Sequence, residues 1–324
     1  MRKIAVIGAG VMGLATARAL ARRGHDVVVF EQFERGHRRG SSHGRSRIFR
    51  LAYAEEEYVR LAQESLGLWR ELEAETGETL LELNGLLEIV RTLEESTART
   101  LEACGIEWHS LEHDEAERRY PIHVPEGSFC VLQPEAGIVR ADKALDAFAR
   151  DLEVRYGTRV HPDDLDAEVV IVTAGSWVNE LLEEPLPIKV TRETVCYFRP
   201  EKGRPIPSLV SFKPDSHTHE MYSLADPVHG LKVGAHQAGP EVDPNDQGEP
   251  EPRLIEQIVS WTRDTYRLAE PEPVAAETCL YTTTPDEAFI LERRGRIVVG
   301  SPCSGHGFKF APAIGERLAD LATG

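Results

Sequence analysis

Residues 3–13 read KIAVIGAGVMG, and this stretch decides the fold. It begins as a short strand of apolar and β-branched residues and runs directly into the motif G-x-G-x-x-G, formed by Gly8, Gly10 and Gly13. Glycines at this spacing permit a tight turn and let the backbone approach a pyrophosphate closely. A helix that starts at such a turn offers N–H groups and a partial positive charge to the phosphate. The stretch therefore predicts a dinucleotide-binding site.

The residues that follow complete a strand–helix–strand unit. Apolar residues at helical spacing continue to Gly24, and a second apolar strand over 27–30 ends at Glu31. A carboxylate at this position can accept hydrogen bonds from the ribose hydroxyls of adenosine. It disfavours NADP, because it would repel the 2′-phosphate. The unit does not choose between NAD and FAD, so an NAD-dependent dehydrogenase stays open as a hypothesis at this point.

Size and charge exclude several classes of protein. The chain has 324 residues, of which 41% are hydrophobic, which suffices for one large or two modest domains. The formal net charge is −17, and this disfavours binding to nucleic acid or to anionic membranes because both need a basic surface. No apolar run reaches the length of a membrane span, so a cytoplasmic protein is expected.

The cysteines do not form a scaffold. Five are scattered through the chain without C-x-x-C spacing: Cys104, Cys130, Cys196, Cys279 and Cys303. Their odd number and their spacing argue against a disulfide framework and against structural zinc. A reducing compartment is the default, and no metal site is predicted.

The chain alternates between helical and strand patterns in a way that suggests two domains. Helices are predicted over 55–76, 93–104, 111–119, 141–152 and 253–268, and strands over 80–90, 168–173, 289–291 and 296–300, with a strand-rich stretch over 188–235. Within the first strand segment, Asn84 and Gly85 predict a hairpin turn. The α/β signal brackets a β-rich middle, which predicts a nucleotide domain assembled from separated segments with a second domain inserted between them.

Several motifs along the chain resemble one known family. They are GSSHGRSRIFRLAY over 40–53, EYVRLA over 57–62, LWRELE over 68–73, GLKVGAH over 230–236, CLYT over 279–282 and SGHGFKF over 304–310. In this order they resemble the monomeric sarcosine oxidase and N-methyltryptophan oxidase family, which contains FAD-dependent amine oxidases of the D-amino-acid-oxidase type of fold. The resemblance extends from residue 3 to about residue 322.

The resemblance implies an α/β fold, α+β overall. A Rossmann-type FAD-binding domain would be built from the discontinuous segments 1–83, 139–177 and 286–324. A substrate domain with a mainly antiparallel sheet would take residues 84–138 and 178–285. Relatives carry extra strands where this chain has only a few residues before Asp166, so a connecting sheet is expected to be trimmed.

The resemblance also implies that FAD is held covalently through Cys279. A thiolate beside an electron-poor flavin ring can add to the activated 8-methyl group, and Cys279 matches the attachment position of the family. A small buried hydrophobic residue is the alternative interpretation, since most free cysteines are of that kind. The other four cysteines match nothing in the family and are interpreted as structural.

Further cofactor contacts are implied by position in the same motifs. Besides Gly8, Gly10, Gly13, Glu31 and Cys279, they are Ser41, Ser42, His43, Arg47, Gly175, Gly305, Gly307, Phe308 and Lys309. In the family, the loop that carries His43 and Arg47 runs beneath the flavin, where a cation favours the anionic reduced ring. The alternative is a surface cluster of basic side chains in an acidic protein.

Five residues are expected to act on the substrate or on oxygen. Arg50 and Lys309 match two anchors for a substrate carboxylate, and a guanidinium can bind a carboxylate with two hydrogen bonds. Lys232 matches a lysine that the family places near flavin N5, where a fixed cation stabilises superoxide. His236 matches a histidine beside the substrate, and Tyr222 is assigned as the active-site tyrosine.

These matches imply an oxidase of a small secondary or N-methyl amino acid, similar to sarcosine. Hydride transfer to flavin N5 would give an imine that water hydrolyses to an aldehyde and an amine, and O₂ would reoxidise the flavin to yield H₂O₂. The alternatives are an oxidase of a cyclic imino acid such as proline or pipecolate, a flavin dehydrogenase with another electron acceptor, and a non-catalytic flavin-binding protein. The substrate side-chain pocket is expected between residues 188 and 220, and the family resemblance favours a monomer.

Overall fold

The computed structural model describes residues 1–200, 203–211, 219–246 and 248–324. This part of the chain contains three β-sheets and seven α-helices. The helices are α1 (Val11–Arg22), α2 (Glu56–Thr76), α3 (Ala98–Ala103), α4 (His113–Arg119), α5 (Ala141–Ala149), α6 (Pro252–Thr265) and α7 (Ala311–Thr323). Among the described residues, no helix combines the length and the apolar character needed to cross a bilayer.

The first sheet has six strands, numbered here by their order along the chain. Their spatial order is β16 (Ile290–Arg294), β17 (Ile297–Ser301), β10 (Val169–Val172), β1 (Lys3–Ile7), β2 (Asp26–Phe30) and β9 (Glu153–Arg155). All neighbouring strands are parallel except β16 and β17, which form an antiparallel pair at the edge. This sheet is the predicted Rossmann-type sheet, and the fold class is confirmed.

Both faces of this sheet are covered, which explains why its central strands are continuously apolar. On one face, Ile4 and Val6 of β1 pack against α1 and α7. On the other face, Ile7 packs with residues of β10 and with Val178 and Leu181, which follow β10 in the chain. The carboxyl ends of β1, β2 and β10 remain open at one edge of the sheet, where α/β proteins bind ligands.

The second sheet has eight strands and is mainly antiparallel, as predicted. Its order is β15 (Ala275–Thr283), β11 (Lys189–Phe198), β14 (Gly230–Ala235), β13 (Met221–Asp226), β12 (Ser208–Ser211), β5 (Leu86–Val90), β7 (Phe129–Gln133) and β6 (His109–Leu111). Only β12 and β5 pair in parallel. One face packs on α6 through Ile258 and Trp261, so the opposite face is free to form the wall of a site.

The predicted hairpin at Asn84 and Gly85 is wrong. The strand before it, β4 (Leu81–Glu82), pairs with β8 (Gly137–Arg140) in a third sheet that also contains β3 (Ser46–Phe49). The strand after it, β5, pairs with β7 and β12 of the eight-stranded sheet. The turn therefore leads the chain from one sheet into another, and Gly85 allows this with a φ of 88°.

The single helix predicted over residues 93–104 is also wrong. The chain forms a 3₁₀ turn over Leu93–Glu95 and then the short helix α3. Between them, the Ser96 hydroxyl donates to the Leu93 carbonyl at 2.8 Å, and the Thr97 amide donates to the buried Glu88 carboxylate at 3.0 Å. Side chains of this kind compete with helical hydrogen bonds, and here they break the helix.

The predicted domain boundaries stay a prediction, although the strands distribute in a consistent way. Every strand of the six-stranded sheet lies within 1–83, 139–177 or 286–324, and every strand of the eight-stranded sheet lies within 84–138 or 178–285. Strand β8 crosses the predicted boundary between residues 138 and 139. The short region before Asp166 still supplies one strand, because β9 pairs with β2.

The contact between α1 and α7 gives a stability prediction. A Cβ at Gly315 on α7 would lie 2.8 Å from the backbone carbon of Ala15 on α1, whereas a Cβ at Gly67 on α2 would meet no atom within 4 Å. We expect Gly315→Ala to lower the free energy of unfolding by about 1–3 kcal/mol through overpacking. Gly67→Ala should raise it by up to about 1 kcal/mol, because alanine favours the helix. Denaturant unfolding of both variants checks this, and equal stabilities would contradict it.

Candidate active site

One large cavity of about 1620 Å³ lies where the two sheets meet. The carboxyl ends of β1, β2 and β10 form one end of it, with Gly8, Glu31 and Gly175 in the wall. The free face of the eight-stranded sheet forms another wall. The loop over 35–50 and the loop over 302–309 complete the enclosure. The sequence motifs that are far apart in the chain are therefore brought to one place.

The glycine motif forms the turn that the sequence predicts. Gly8 has a φ of 104°, and a Cβ there would lie 2.6 Å from the carbonyl oxygen of Thr173. A Cβ at Gly13 would lie 1.9 Å from the Gly8 carbonyl oxygen, so this glycine serves close packing of helix on strand. Gly10 precedes α1, and the Ser42 hydroxyl accepts a hydrogen bond from the Val11 amide at 3.1 Å.

Glu31 is fixed at the end of β2 by the backbone. Its carboxylate accepts hydrogen bonds from the amides of Ala9 at 2.9 Å and Phe33 at 3.0 Å. The side chain is buried, and it lies beside the glycine turn in the cavity wall. Its orientation is thus set before any ligand binds, as a ribose-binding carboxylate requires.

The loop after β2 uses Arg47 as an internal brace. The Arg47 guanidinium donates to the carbonyl oxygens of Ser41 at 2.7 Å, His43 at 2.5 Å and Ser46 at 2.9 Å. It also lies over the ring of Phe308, 5.5 Å from the ring centroid. Arg47 therefore joins the two loops that flank the cavity and leaves a fixed positive charge in its wall.

His43 is held as a neutral imidazole. Burial lowers the pKa of His43 to about 3, and the neighbouring cations Arg47 and Lys232 act in the same direction. Both ring nitrogens are buried and have no hydrogen-bond partner within the protein. Since buried polar atoms are normally paired, His43 is poised to hydrogen bond to a ligand in the cavity.

The free face of the eight-stranded sheet carries the second group of predicted residues. Strand β15 points Glu277, Cys279 and Tyr281 into the cavity, since alternate residues of a strand share a face. Lys232 of β14 lies on the same face, paired with Tyr197 of β11. His236 follows β14, and Tyr222 of β13 lies opposite Gly234. This wall therefore combines a thiol, an amine, an imidazole and several phenols.

Three of these groups, Lys232, Cys279 and His236, have shifted pKa values. Burial lowers the pKa of Lys232 to about 8, with a further contribution from Arg47. Burial raises the pKa of the Cys279 thiol, although Arg47 and Lys232 oppose that shift. The pKa of His236 is lowered to about 4 by burial and by the charges of Arg50 and Lys309. At neutral pH the imidazole of His236 is therefore a neutral group that can accept a hydrogen bond.

Arg50 and Lys309 are brought together by Tyr53. Lys309 is buried, and its Nζ donates to the Tyr53 hydroxyl at 2.8 Å and to the His306 carbonyl at 2.7 Å. The Arg50 guanidinium lies over the Tyr53 ring at 4.4 Å from its centroid. One guanidinium nitrogen of Arg50 is buried without a hydrogen-bond partner. Two basic side chains that share a cavity wall with a free donor suit a carboxylate group.

The motif at 304–310 shapes this end of the cavity. Gly305 has a φ of 75°, and a Cβ there would lie 2.4 Å from Tyr281 and 2.6 Å from His236. A Cβ at Gly307 would lie 1.7 Å from the carbonyl oxygen of Pro302. Both glycines are thus required for the loop to pass between the sheet and the helix that follows. Gly175 begins the 3₁₀ turn over Gly175–Glu180 with a φ of 54°, and a Cβ there would meet no atom within 4 Å.

The structure places every residue predicted for the site in the cavity wall except Gly13, which lies behind the turn. Several wall residues were not predicted. Tyr53 stands inside a quoted motif, and its role as the link between two cations depends on folding. Tyr281 hydrogen bonds to Tyr222, and Cys303, which we interpreted as structural, lies in the cavity wall. Alternation along β15 was the available signal for Tyr281 and Glu277.

The residues fit a flavin dinucleotide. The glycine turn and Glu31 provide a cradle for an adenosine diphosphate, and the unpartnered nitrogens of His43 face the part of the cavity beyond it. The cavity then continues between the loop of Arg47 and the sheet face of Lys232, which offers room for a flat ring. Cations in both walls suit a ring that becomes negative on reduction.

Comparison with known families identifies the class of protein. Residues 3–321 match the FAD dependent oxidoreductase (DAO) family, so the chain belongs to this family and is an FAD-dependent oxidoreductase. The FAD cofactor and the enzyme class are confirmed, and the NAD-dependent hypothesis is not supported.

Particular relatives are similar over nearly the whole chain. Human peroxisomal sarcosine oxidase is 34% identical, covering 98% of this chain and 91% of the relative. Monomeric sarcosine oxidase of Bacillus sp. (strain B-0618) is 31% identical with the same coverage. N-methyl-L-tryptophan oxidase of Yersinia pestis (strain Pestoides F) is 28% identical, covering 98% of this chain and 94% of the relative. The predicted family resemblance is confirmed.

A solved structure agrees with this assignment. NikD, an unusual amino acid oxidase essential for nikkomycin biosynthesis, superposes in its open form with a TM-score of 0.85 and 26% sequence identity. The alignment covers 99% of this chain and 93% of NikD. The arrangement of a Rossmann-type sheet beside a mainly antiparallel sheet is therefore shared with an amino acid oxidase.

The link between Tyr53 and Lys309 gives a prediction for ligand binding. Tyr53→Phe removes the hydroxyl that accepts from the buried Lys309 ammonium, so the cation loses a partner and the carboxylate site loses its geometry. We expect the Kd of a simple carboxylate ligand, read by flavin absorbance, to rise about tenfold. Tyr58→Phe is the matched control, because the ring of Tyr58 packs 5.4 Å from that of Tyr53. Equal effects of the two changes would refute the role of the Tyr53 hydroxyl.

Proposed function

We propose that this enzyme oxidises a small secondary or N-methyl amino acid, of which sarcosine is the simplest example, with O₂ as the electron acceptor. The observation that carries the proposal is the pair of cations, Arg50 and Lys309, joined by Tyr53 at the end of the flavin cradle. The pair suits a carboxylate, and the names of the related sarcosine oxidases support an N-methyl amine. Gly305 passes so close to Tyr281 and His236 that a Cβ there would clash with both, and this narrow part of the cavity suits a small substrate.

The protein groups in this site would bind and orient the substrate. Arg50 and Lys309 hold its carboxylate, which directs the carbon next to nitrogen toward the face of the ring. FAD supplies the acceptor for two electrons and a hydride equivalent at flavin N5. The amine must be neutral, because an ammonium has no lone pair to support the forming imine. The neutral His236 lies in the same cavity wall, where its imidazole can accept a hydrogen bond from the amine.

The hydrogen-bonded phenols Tyr222 and Tyr281 cover the substrate region from the sheet side. Burial raises the pKa of both hydroxyls, so they stay protonated and act as hydrogen-bond donors rather than as bases. After oxidation the imine is hydrolysed by water to an aldehyde and an amine. For sarcosine the products are formaldehyde and glycine.

Cys279 is proposed as the covalent attachment point of the flavin. It faces the cavity between Glu277 and Tyr281, and although burial raises the pKa of its thiol, the charges of Arg47 and Lys232 oppose that shift. The buried Cys130 and Cys196 belong to the core of the eight-stranded sheet, where burial raises the pKa of each thiol to about 12. A thiol with such a pKa is a poor nucleophile at neutral pH.

The proposed substrate pocket lies partly outside the described residues. Sequence patterns place the side-chain pocket between 188 and 220, and residues 201–202 and 212–218 of that range are not described. Val210 and Glu220, at the borders of the second gap, line the cavity. We further propose that the enzyme acts as a monomer, as the name of the related Bacillus enzyme suggests, with only the amino acid and O₂ as partners.

An anaerobic panel of amino acids, read by flavin absorbance, tests the proposed activity. We expect sarcosine and other small N-methyl amino acids to bleach the flavin, and air to restore it with close to one H₂O₂ per turnover. Faster bleaching by proline or pipecolate would instead support a cyclic imino-acid oxidase. Peroxide yields near zero would support a dehydrogenase, and a flavin that no amine bleaches would support a non-catalytic protein.

Acid precipitation separately tests the covalent link to Cys279, because a covalently bound flavin precipitates with the protein and keeps it yellow.

Lys232 gives a prediction for the oxygen reaction. Lys232→Met removes a buried cation beside the ring but keeps the length of the side chain. We expect the rate of reoxidation by O₂ to fall about 100-fold, with a much smaller effect on flavin reduction. The pKa of Lys232 is lowered to about 8, so the cation is lost as pH rises through that value. In the unmodified enzyme, reoxidation should therefore slow above pH 8. Stopped-flow measurement of both half-reactions checks this, and equal slowing of both would contradict the assignment.

A further inference from the structure

The outer edge of β15 is closed by two loops of the flavin cradle. This strand is at the end of the eight-stranded sheet, with β11 on one side only. A free edge normally leaves backbone N–H and C=O groups without partners. Here outward-facing backbone groups of Leu280, directly after Cys279, and of Thr282, on the other side of Tyr281, do have partners.

Both backbone groups of Leu280 are held by the loop after β2. Its amide donates to the carbonyl oxygen of Gly40 at 3.1 Å. Its carbonyl accepts a hydrogen bond from the hydroxyl of Ser41. Ser41 is held in turn, because its own carbonyl oxygen accepts from Arg47 at 2.7 Å. The residue that follows Cys279 is therefore fixed on both sides by adjacent residues of one loop.

The next contact along the edge is made by the other cradle loop. The Ser304 amide donates to the Thr282 carbonyl at 2.9 Å, and the Thr282 amide donates to the Cys303 sulfur at 3.5 Å. The Cys303 sulfur also lies 3.8 Å from the Ser41 hydroxyl oxygen. The two loops thus meet at the strand edge and hold it as one unit.

The neighbouring serines of the first loop have different partners. The Ser41 hydroxyl donates a hydrogen bond to the Leu280 carbonyl, next to Cys279. The Ser42 hydroxyl accepts a hydrogen bond from the Val11 amide, beside the glycine turn. The sequence predicts both as cofactor contacts, but their hydrogen bonds join them to different elements, β15 for Ser41 and the start of α1 for Ser42.

We infer that Ser41 is a positioning residue for the covalent attachment of the flavin, acting by fixing the strand that carries Cys279. The inference deepens the proposed attachment and rests on it. Attachment breaks the S–H bond of Cys279 and one C–H bond of the flavin 8-methyl group, and it forms one C–S bond. The two hydrogens, with two electrons, pass to O₂, which becomes H₂O₂.

The physical reason is the short distance that bond formation demands. The sulfur must approach a carbon of a ring that is held by other elements, mainly by the glycine turn and the loop of Arg47. Register with β11, where Cys279 pairs with Glu193, fixes the strand within its own sheet only. The hydrogen bonds of Ser41 fix that strand relative to the loop under the ring. A shift of about 1 Å in a reacting group can slow a reaction by about 100-fold.

The test compares attachment rates in apoprotein mixed with saturating FAD, read as flavin that stays with acid-precipitated protein. Ser41→Ala should bind FAD but attach it about 10-fold to 100-fold more slowly. Ser41→Thr, which keeps a hydroxyl, should restore most of the rate. Ser42→Ala is the matched control, and it should weaken FAD affinity while the attachment rate at saturation stays within about twofold. Hydrogen exchange at the Leu280 amide, faster in Ser41→Ala than in Ser42→Ala, should report the loosened strand.

The outcomes separate this inference from the proposed attachment. If the unmodified protein never retains flavin after precipitation, the covalent link itself is wrong and the inference falls with it. If the unmodified protein attaches flavin and Ser41→Ala attaches it at the same rate, only the inference is overturned. Equal slowing in Ser41→Ala and Ser42→Ala, or no rescue by Ser41→Thr, would also overturn it, since the loop would then act as a whole.

Discussion

Two basic side chains in one cavity wall, the half-buried Arg50 and the buried Lys309, set the main constraint on this molecule, because burial and the charge of Arg50 hold the pKa of Lys309 well below its ordinary value. Arg50 and Lys309 come from opposite ends of the chain, and each loses solvation in the cavity wall. Burying a cation is costly unless partners are supplied. The Tyr53 ring and hydroxyl and the His306 carbonyl supply part of this stabilisation. One guanidinium nitrogen of Arg50 has no hydrogen-bond partner within the protein, so an anion bound here would stabilise both basic groups.

The arrangement of the two sheets places further charged groups around the same cavity. A parallel sheet offers its glycine turn and helix N-terminus to phosphate at its carboxyl edge, while an antiparallel sheet can leave one face free for side chains. Placing that free face across the carboxyl edge puts Lys232 and Cys279 opposite the loop of Arg47. Neither sheet alone could surround a flat ring with charge on both sides.

Local and long-range features of the sequence differ in how well they predict this structure. The unit from β1 to β2 was predictable because strand, turn and helix are specified by neighbouring residues. The hairpin at Asn84 and Gly85 failed because the partners of β4 and β5 lie far away in the chain, at β8 and β12. A turn signal specifies a change of direction and does not specify which strands pair.

The candidate site shows a similar division. Family motifs located the cations, the glycines and Cys279 in the chain, but they did not indicate that one tyrosine would join Arg50 to Lys309. They grouped Ser41 with Ser42, although the Ser41 hydroxyl bonds to β15 and the Ser42 hydroxyl bonds to the start of α1. Roles of this kind depend on partners that lie hundreds of residues away in the chain, and a local sequence pattern carries no information about such partners.

The strand order of the Rossmann-type sheet also constrains synthesis in the cell. β1 leaves the ribosome first, yet its neighbour β10 and the next strand β17 come from the second half of the chain, and α7, which packs on α1, comes last. The nascent first half cannot bury its apolar strands alone, and contacts of such long separation form slowly. Chaperones that shield exposed apolar segments therefore have a long interval in which to act before the cradle can accept its cofactor.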